Sequence, residues 1–392
     1  MLKFKSTIFS DENDLFIALQ SNKAKLTSQS LRKLAFKRGI IYPSSLDRDE
    51  LISHISDLPF TYSQLEEIKN KLTPKINRDQ YSIRQVLGKF DISKLSDVLD
   101  SVIENRPRFV GSEVINHSQT LEGIYNVDLE YTEFDFTRGK YQQKKRHGGY
   151  IQFMMKDNYV SIQYTYTKRI KDILDSILKC YRATVCDDFE LKDVDLSTTV
   201  DSGSRNEFIE GIYNSIPGQF VFIQIEKARV SKCKSILSNP IGSTNSSEDL
   251  DNELLESDAV TELTNNDDND QRIENAQFDG NYLHSSSEVK EFCKNGFYLS
   301  RIKWKSKALL LKDSPIVIFE LTFDDKHQGK DLKFRILGKE TFNGKSSREP
   351  VTGADFEKLI NGLENSIFSS FENVIEKSPV QETVVNLGVS NA

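Results

Sequence analysis

Cations, rather than a catalytic set, are the residues whose types and spacing suggest chemistry in this sequence. The run Thr137-Arg138-Gly139-Lys140-Tyr141-Gln142-Gln143-Lys144-Lys145-Arg146-His147-Gly148-Gly149 places five cations and a tyrosine among glycines. Set between two expected strands, such a loop can follow a phosphate backbone and stack a base; an ordinary exposed hairpin loop is the plainer alternative. Lys168, Arg169 and Lys171 fall in the first turn of an expected helix, where the macrodipole disfavours each by about 0.3 to 1 kcal/mol. Free amides together with cations suit a bound anion. Pairing with Asp172, Asp175 or acidic strand residues would equally explain them.

Metal-dependent hydrolysis requires carboxylates gathered around an ion. Glu190-Leu191-Lys192 has the Glu-x-Lys form on an expected strand, but Asp187 and Asp188 stand too close before it to come from a separate strand end. Asp172 or Asp175 would have to reach across from a helix. Alternating charge on an exposed strand face is the simpler account. The sequence has no Walker-type phosphate loop, no G-x-S-x-G elbow and no H-E-x-x-H. Cys180, Cys186, Cys233 and Cys293 form no C-x-x-C pair, and His54, His117, His147, His284 and His327 are scattered singly. Free thiols in a reducing compartment are expected. No catalytic residue, metal ligand or cofactor is expected.

Something must position these cations, and 392 residues suggest roughly two to three domains. A hydrophobic fraction of 37% beside 28% charged residues suits folded domains. Neither a leading apolar stretch nor a window long enough to span a bilayer is apparent, so a cytoplasmic protein is expected, or a nuclear one in a cell with a nucleus. The net charge of -7 conceals a split. Thirteen acids and one base between Ser238 and Glu288 carry -12, leaving +5 for the remainder. Net acidity is thus no argument against a polyanionic partner.

The apolar periodicity predicts an α+β protein: a small helical module, then two α+β domains with mainly antiparallel sheets, separated by an acidic disordered linker. Residues 1–74 form the helical region and 75–236 the first α+β domain. The linker spans 237–284, being rich in Ser, Asn, Asp and Glu. Residues 285–376 form the second α+β domain and 377–392 a flexible tail. Tyr150 to Met155 and Tyr159 to Tyr166 read as a hairpin with one buried and one polar face. Ile170, Ile173, Leu174, Ile177, Leu178 and Tyr181 mark the clearest helix.

Within the helical region, Leu31, Leu34 and Ala35 make a short stripe that stops at Gly39, followed by Ile40. After Pro43 a second helix opens at Asp47-Arg48-Asp49-Glu50 before Leu51-Ile52, and continues through Ile55 to Leu58. Residues 27–58, 32 of the 392, thereby resemble the SAP family of helix, extended loop, helix units. In that family a short helix ends at a glycine followed by an aliphatic residue, and a charged run precedes a Leu-Ile pair. Here the connecting loop is longer than is usual in the family. Many members bind DNA, so the resemblance implies a DNA-binding module. Arg32, Lys33, Lys37, Arg38 and Arg48 would supply salt-dependent phosphate contacts with little base readout; a solvated basic face on a docking module is the alternative.

The expectation is a non-enzymatic nucleic-acid-binding protein, DNA favoured, with no membrane partner. Its contacts would be Arg32, Lys33, Lys37, Arg38, Arg48, Arg138, Lys140, Lys144, Lys145, Arg146, Lys168 and Arg169. The acidic linker would serve as a tether or an internal phosphate mimic. A scaffold or interaction subunit of a multi-protein assembly, for instance in antiviral defence, is the second expectation, and a metal-dependent nuclease the third.

Overall fold

The computed structural model describes residues 12–21, 23, 26–72, 80–105, 112–120, 123–136, 140–141, 143–199, 201–214, 219–233, 273–280, 282–342 and 346–377. Four helices come first: α1 (Glu12–Gln20), α2 (Ser28–Phe36), α3 (Arg48–Ser56) and α4 (Tyr62–Leu72). Their starts are written in the sequence. Thr27 caps α2 by accepting from the Ser30 amide, and Asp47 with Glu50 forms a reciprocal capping box on α3. Leu19, Leu31, Leu51, Ile52, Ile55 and Ile68 are fully buried between these helices and form a core of their own.

The chain continues through β1 (Tyr81–Gly88), α5 (Leu95–Asn105), β2 (Glu113–Gln119), β3 (Ile124–Phe134), β4 (Lys144–Met155), β5 (Tyr159–Thr165), α6 (Lys168–Thr184) and β6 (Phe189–Lys192). Next come α7 (Ser202–Tyr213), β7 (Phe220–Lys232), β8 (Asn275–Asp279), α8 (Ser287–Lys294), β9 (Phe297–Ala308), β10 (Ile316–Asp325), β11 (Lys330–Phe342), β12 (Ser346–Glu349) and α9 (Ala354–Lys377). All twelve strands among the described residues join one antiparallel sheet, ordered β2-β3-β4-β5-β1-β11-β10-β9-β7-β8, with β6 on β1 and β12 on β11. The α+β reading holds, and no helix among the described residues is long and apolar enough to cross a membrane.

The helices and the sheet pack into two α+β cores. One core packs α5 and α6 on β1 to β5 and ends with Phe189 and Leu191 of β6. The other takes in Ile83 of β1, Val194 and Leu196, and gathers α7, β7, β9, β10, β11 and α9. β1 serves both cores, and the acidic stretch follows β7 in sequence. That stretch connects two paired neighbours, β7 and β8. It is an insertion in a hairpin, and long hairpin insertions are tolerated because loop-closure entropy grows only slowly with length.

Of the expected linker, 237–272 lies outside the described residues, as does the tail beyond 377. Its last part is structured: β8 pairs Asn275 with Ser231 and Asp279 with Lys227, and Ala276 and Phe278 pack on the core. Their period-two spacing was obscured by the surrounding acidic and amide residues. Residues 183–188 finish α6 and a loop, and Phe189–Lys192 form the short β6.

The hairpin β4/β5 forms as expected, closed by the Lys156 amide on the Tyr159 carbonyl at 2.8 Å. Its supposed solvent face is covered. Val160, Ile162 and Tyr164 face α6, whereas Ser161, Gln163 and Thr165 are buried as well. Glu364 of α9 explains this, receiving Ser161 Oγ at 2.8 Å and Gln163 Nε2 and Gln85 Nε2 at 3.3 Å. Side chains alternate along a strand, so Val86 points to α5 and α6 while Ile83 points to the core of α7 and α9. The helices thus cover opposite faces of the sheet in its two halves.

Candidate nucleic-acid interface

The cations of α2 and α3 are mostly turned inward, onto the backbone of their own module. Arg32 Nη2 donates to the carbonyls of Ser44 at 3.0 Å and Leu46 at 2.8 Å, fixing the turn after Pro43. Arg48 Nη2 donates to the Leu19 carbonyl at 2.7 Å, with its Nε 3.3 Å from the Leu26 carbonyl, and so ties α3 to the end of α1. Arg38 donates to the Pro59 carbonyl, and its guanidinium lies 4.4 Å from the centre of the Phe60 ring. Lys37 pairs with Glu67 of α4 at 2.6 Å, and this contact holds the Glu67 carboxyl below its ordinary pKa. Lys33 alone of the five is exposed with no ion pair among the described residues.

The run from 137 to 149 is not one loop. Arg138 lies outside the described residues. Lys144, Lys145, Arg146, His147, Gly148 and Gly149 belong to β4, in register with Phe134 back to Leu129 of β3. Cross-strand pairing overrode a composition that reads as a loop. Gly149 is constrained rather than flexible: a Cβ there would stand 2.5 Å from Ile170 Cδ1 and 2.8 Å from Thr165 Cβ. Tyr141, expected to stack a base, is 2% exposed and sits in the core of the N-terminal helices. An aromatic ring beside an apolar core gains more from burial than from solvent. Its neighbour Lys140 pairs with Asp14 of α1 at 2.6 Å.

What the hairpin does present is a pair of aromatics. Phe134 is 43% and Phe136 73% exposed, their rings stacked with centroids 6.0 Å apart. Lys144 Nζ lies 5.9 Å from the Phe134 ring. Lys144 and the exposed Arg146 make no ion pair among the described residues. Beside them His147 Nε2 lies 3.2 Å from Glu133 and its ring stacks on Tyr131 at 5.0 Å. The His147 contact lowers the Glu133 pKa. A phenylalanine pair escapes a search for basic runs; its signal is the alternation Phe134-Asp-Phe136 where the strand ends.

At the start of α6 the expected anion position is already satisfied. Thr167 accepts from the Ile170 amide and receives Tyr131 Oη at 2.9 Å. Arg169 Nε donates to Glu113 of β2 at 2.9 Å, and Lys171 pairs with Asp331. Lys168 remains exposed without an ion pair among the described residues. Glu190 is exposed and Lys192 pairs with Glu372 of α9, while no three His, Cys, Asp or Glu side chains gather for a metal among the described residues.

Sequence reasoning overlooked the cations of β9. Arg301, Lys303, Lys305 and Lys307 alternate with Ile302, Trp304, Ser306 and Ala308, which face the core. Period two therefore puts four cations on the sheet face that no α7 to α9 helix covers. Most are neutralised across the strands: Lys303 and Lys305 by Glu226, Lys305 also by Glu340, and Arg301 by Glu320. The motif Arg301-Ile-Lys-Trp-Lys-Ser-Lys307 would have been the readable signal.

The sequence matches no protein-family model and no curated protein.

Proposed function

We propose that the protein is a non-enzymatic nucleic-acid-binding protein that holds single-stranded segments at the end of the β3/β4 hairpin. The observation that carries this reading is the exposed Phe134–Phe136 stack flanked by Lys144 and Arg146, neither of which has an ion pair among the described residues. Aromatic rings stack with any base, each worth roughly 1 to 3 kcal/mol, and nearby cations supply the salt-dependent backbone term. Lys33 and Lys168, exposed and without ion pairs among the described residues, extend the contact in this reading. Arg32, Arg38, Arg48, Lys37, Lys140 and Arg169 serve architecture in this reading. The likeness of residues 27–58 to SAP units supports a nucleic-acid partner, through a module whose own cations are largely engaged.

Fluorescence anisotropy with single-stranded DNA, duplex DNA and RNA at several salt concentrations tests it. Phe134→Ala with Phe136→Ala should weaken single-stranded binding at least tenfold, and Lys144→Glu with Arg146→Glu should flatten the salt slope. Equal, weak binding by wild type and both variants would sink the proposal.

A protein-docking role for the helical module is the second reading. It is favoured by Phe36 and Ile41, which are 66% and 78% exposed on a module whose cations are mostly committed internally. A co-purifying protein lost on Phe36→Ser and Ile41→Ser, without salt-dependent nucleic-acid retention, would select it.

A further inference from the structure

Strand β2 ends the sheet, and among the described residues no strand pairs on its outer side. Proteins commonly blunt such edges with a short strand, a lysine, a proline or a bulge. β6 and β12 have four residues each, and β8, at the other end of the sheet, has five. β2 has seven, Glu113-Val-Ile-Asn-His-Ser-Gln119, with no lysine, proline or glycine and no bulge in its register with β3. Its one carboxylate, Glu113, is held by Arg169 of α6.

The ladder with β3 fixes which backbone groups point outward. The Thr132 amide donates to the Ser112 carbonyl at 3.0 Å and the Thr120 amide to the Ile124 carbonyl at 2.8 Å, so the even-numbered residues of β2 exchange hydrogen bonds with β3. The amides and carbonyls of Ile115, His117 and Gln119 therefore turn away from it. Ile115 packs on the core beneath α5 and α6, and His117 Nε2 lies 3.2 Å from Asp100 of α5. Ile103, three positions on from Asp100, shares that flank of the helix and is exposed. Val114 is exposed on the opposite face of the strand. Exposed apolar side chains thus stand on both faces of an open edge.

We propose that β2 pairs antiparallel with β2 of a second copy of the chain, about a two-fold axis at Asn116. Outward backbone groups must meet outward ones, and the register centred on Asn116 satisfies this while using the whole strand. Ile115 then exchanges hydrogen bonds with His117 of the partner subunit, and His117 with Ile115 of the partner subunit. Val114 stands opposite Ser118 and Glu113 opposite Gln119, so no like charges meet. Asn116 stands opposite itself in a non-hydrogen-bonded pair, with Cα atoms about 4.5 Å apart. The edge is complementary to itself, which selects a second copy over an unrelated strand. The pairing does not depend on the nucleic-acid reading.

The test uses the full chain and no nucleic acid. Sedimentation velocity over a range of concentrations should show a reversible dimer for wild type. Val114→Lys with Ser118→Lys sets lysine against lysine on both sides of the axis and should weaken dimerisation roughly tenfold or more. Both positions are exposed in the single chain, and circular dichroism verifies that this variant keeps its fold. Under mild oxidation with diamide, Asn116→Cys should form a disulfide between its two copies of residue 116, because the axis brings them within bonding reach. Val114→Cys and Ser118→Cys should each fail to cross-link alone and should cross-link when mixed. A monomer at every concentration overturns the proposal, as does a dimer that neither responds to the lysines nor cross-links at residue 116. Retention of a different protein that the lysine variant loses also overturns it, because the edge would then belong to a foreign strand.

Discussion

Lys140 Nζ lies 2.6 Å from Asp14 Oδ2, joining a strand connection of the sheet to the first helix across 126 positions of sequence. Tyr141 follows it into the helical core. Among the described residues, a buried ring and an ion pair thus tie the helical module to the sheet. Tyr141→Ala should destabilise the module by on the order of 3 kcal/mol, as large-to-small changes in a core do. Lys140→Ala should cost at most about 1 kcal/mol, since exposed pairs contribute little. Denaturant unfolding followed by helical circular dichroism should show an early transition for Tyr141→Ala alone.

The guanidinium of Arg48 holds two backbone carbonyls and that of Arg32 another two. Hydrogen bonds from charged donors contribute about 1.5 to 3 kcal/mol, and the carbonyls lose their partners together. Arg32→Ala and Arg48→Ala should each lower the melting temperature by several degrees, whereas Lys33→Ala leaves it unchanged. A silent Arg48→Ala would show that α1 and α3 are held by packing alone.

Gly148 and Gly149 look equivalent in sequence but differ in their surroundings. A Cβ on Gly148 meets only the Leu129 carbonyl oxygen at 3.9 Å, whereas one on Gly149 strikes Ile170 and Thr165. Gly149→Ala should destabilise by roughly 1 to 3 kcal/mol through overpacking against α6, and Gly148→Ala should be near neutral. Urea midpoints of the two variants check this directly.

Burial raises the pKa of Glu364 above its ordinary value of 4.5, although hydrogen bonds from Ser161, Gln85 and Gln163 pull the other way. The native state then holds the proton to higher pH than the unfolded chain. This carboxyl's contribution to stability falls as pH rises from about the ordinary value through the raised one, and is constant above. Glu364→Gln keeps an acceptor for Ser161 and Gln163 without the charge. It should match or exceed wild type in stability at pH 7 to 8, and the difference should shrink towards pH 4. Thermal melts across that range would contradict the account if the two curves ran parallel.

Caps, periodic helices and the β4/β5 hairpin were legible because each is decided within a few residues: Asp47 with Glu50, the stripe Ile170 to Tyr181, the turn at Lys156. What the sequence concealed was decided by partners far away. The carbonyls that engage Arg32 and Arg48 come from loops folded back on them. Ser161 and Gln163 read as a wet face because their cover, Glu364, lies some two hundred positions on. Tyr141 reads as a platform because nothing local reveals a helical core waiting for it. The cations of β9 were legible in principle, since period two alone places them on one face.

The polar patch of Gln85, Ser161 and Gln163 has a consequence for the order of assembly on the ribosome. α9 is the last described element to be synthesised, so the strands it covers must persist in water while about two hundred further residues are added. Amides and a hydroxyl remain hydrated during that interval, where valines in the same positions would present a sticky surface to other nascent chains. The buried carboxylate that finally settles there trades some final stability for a face that is safe to leave open.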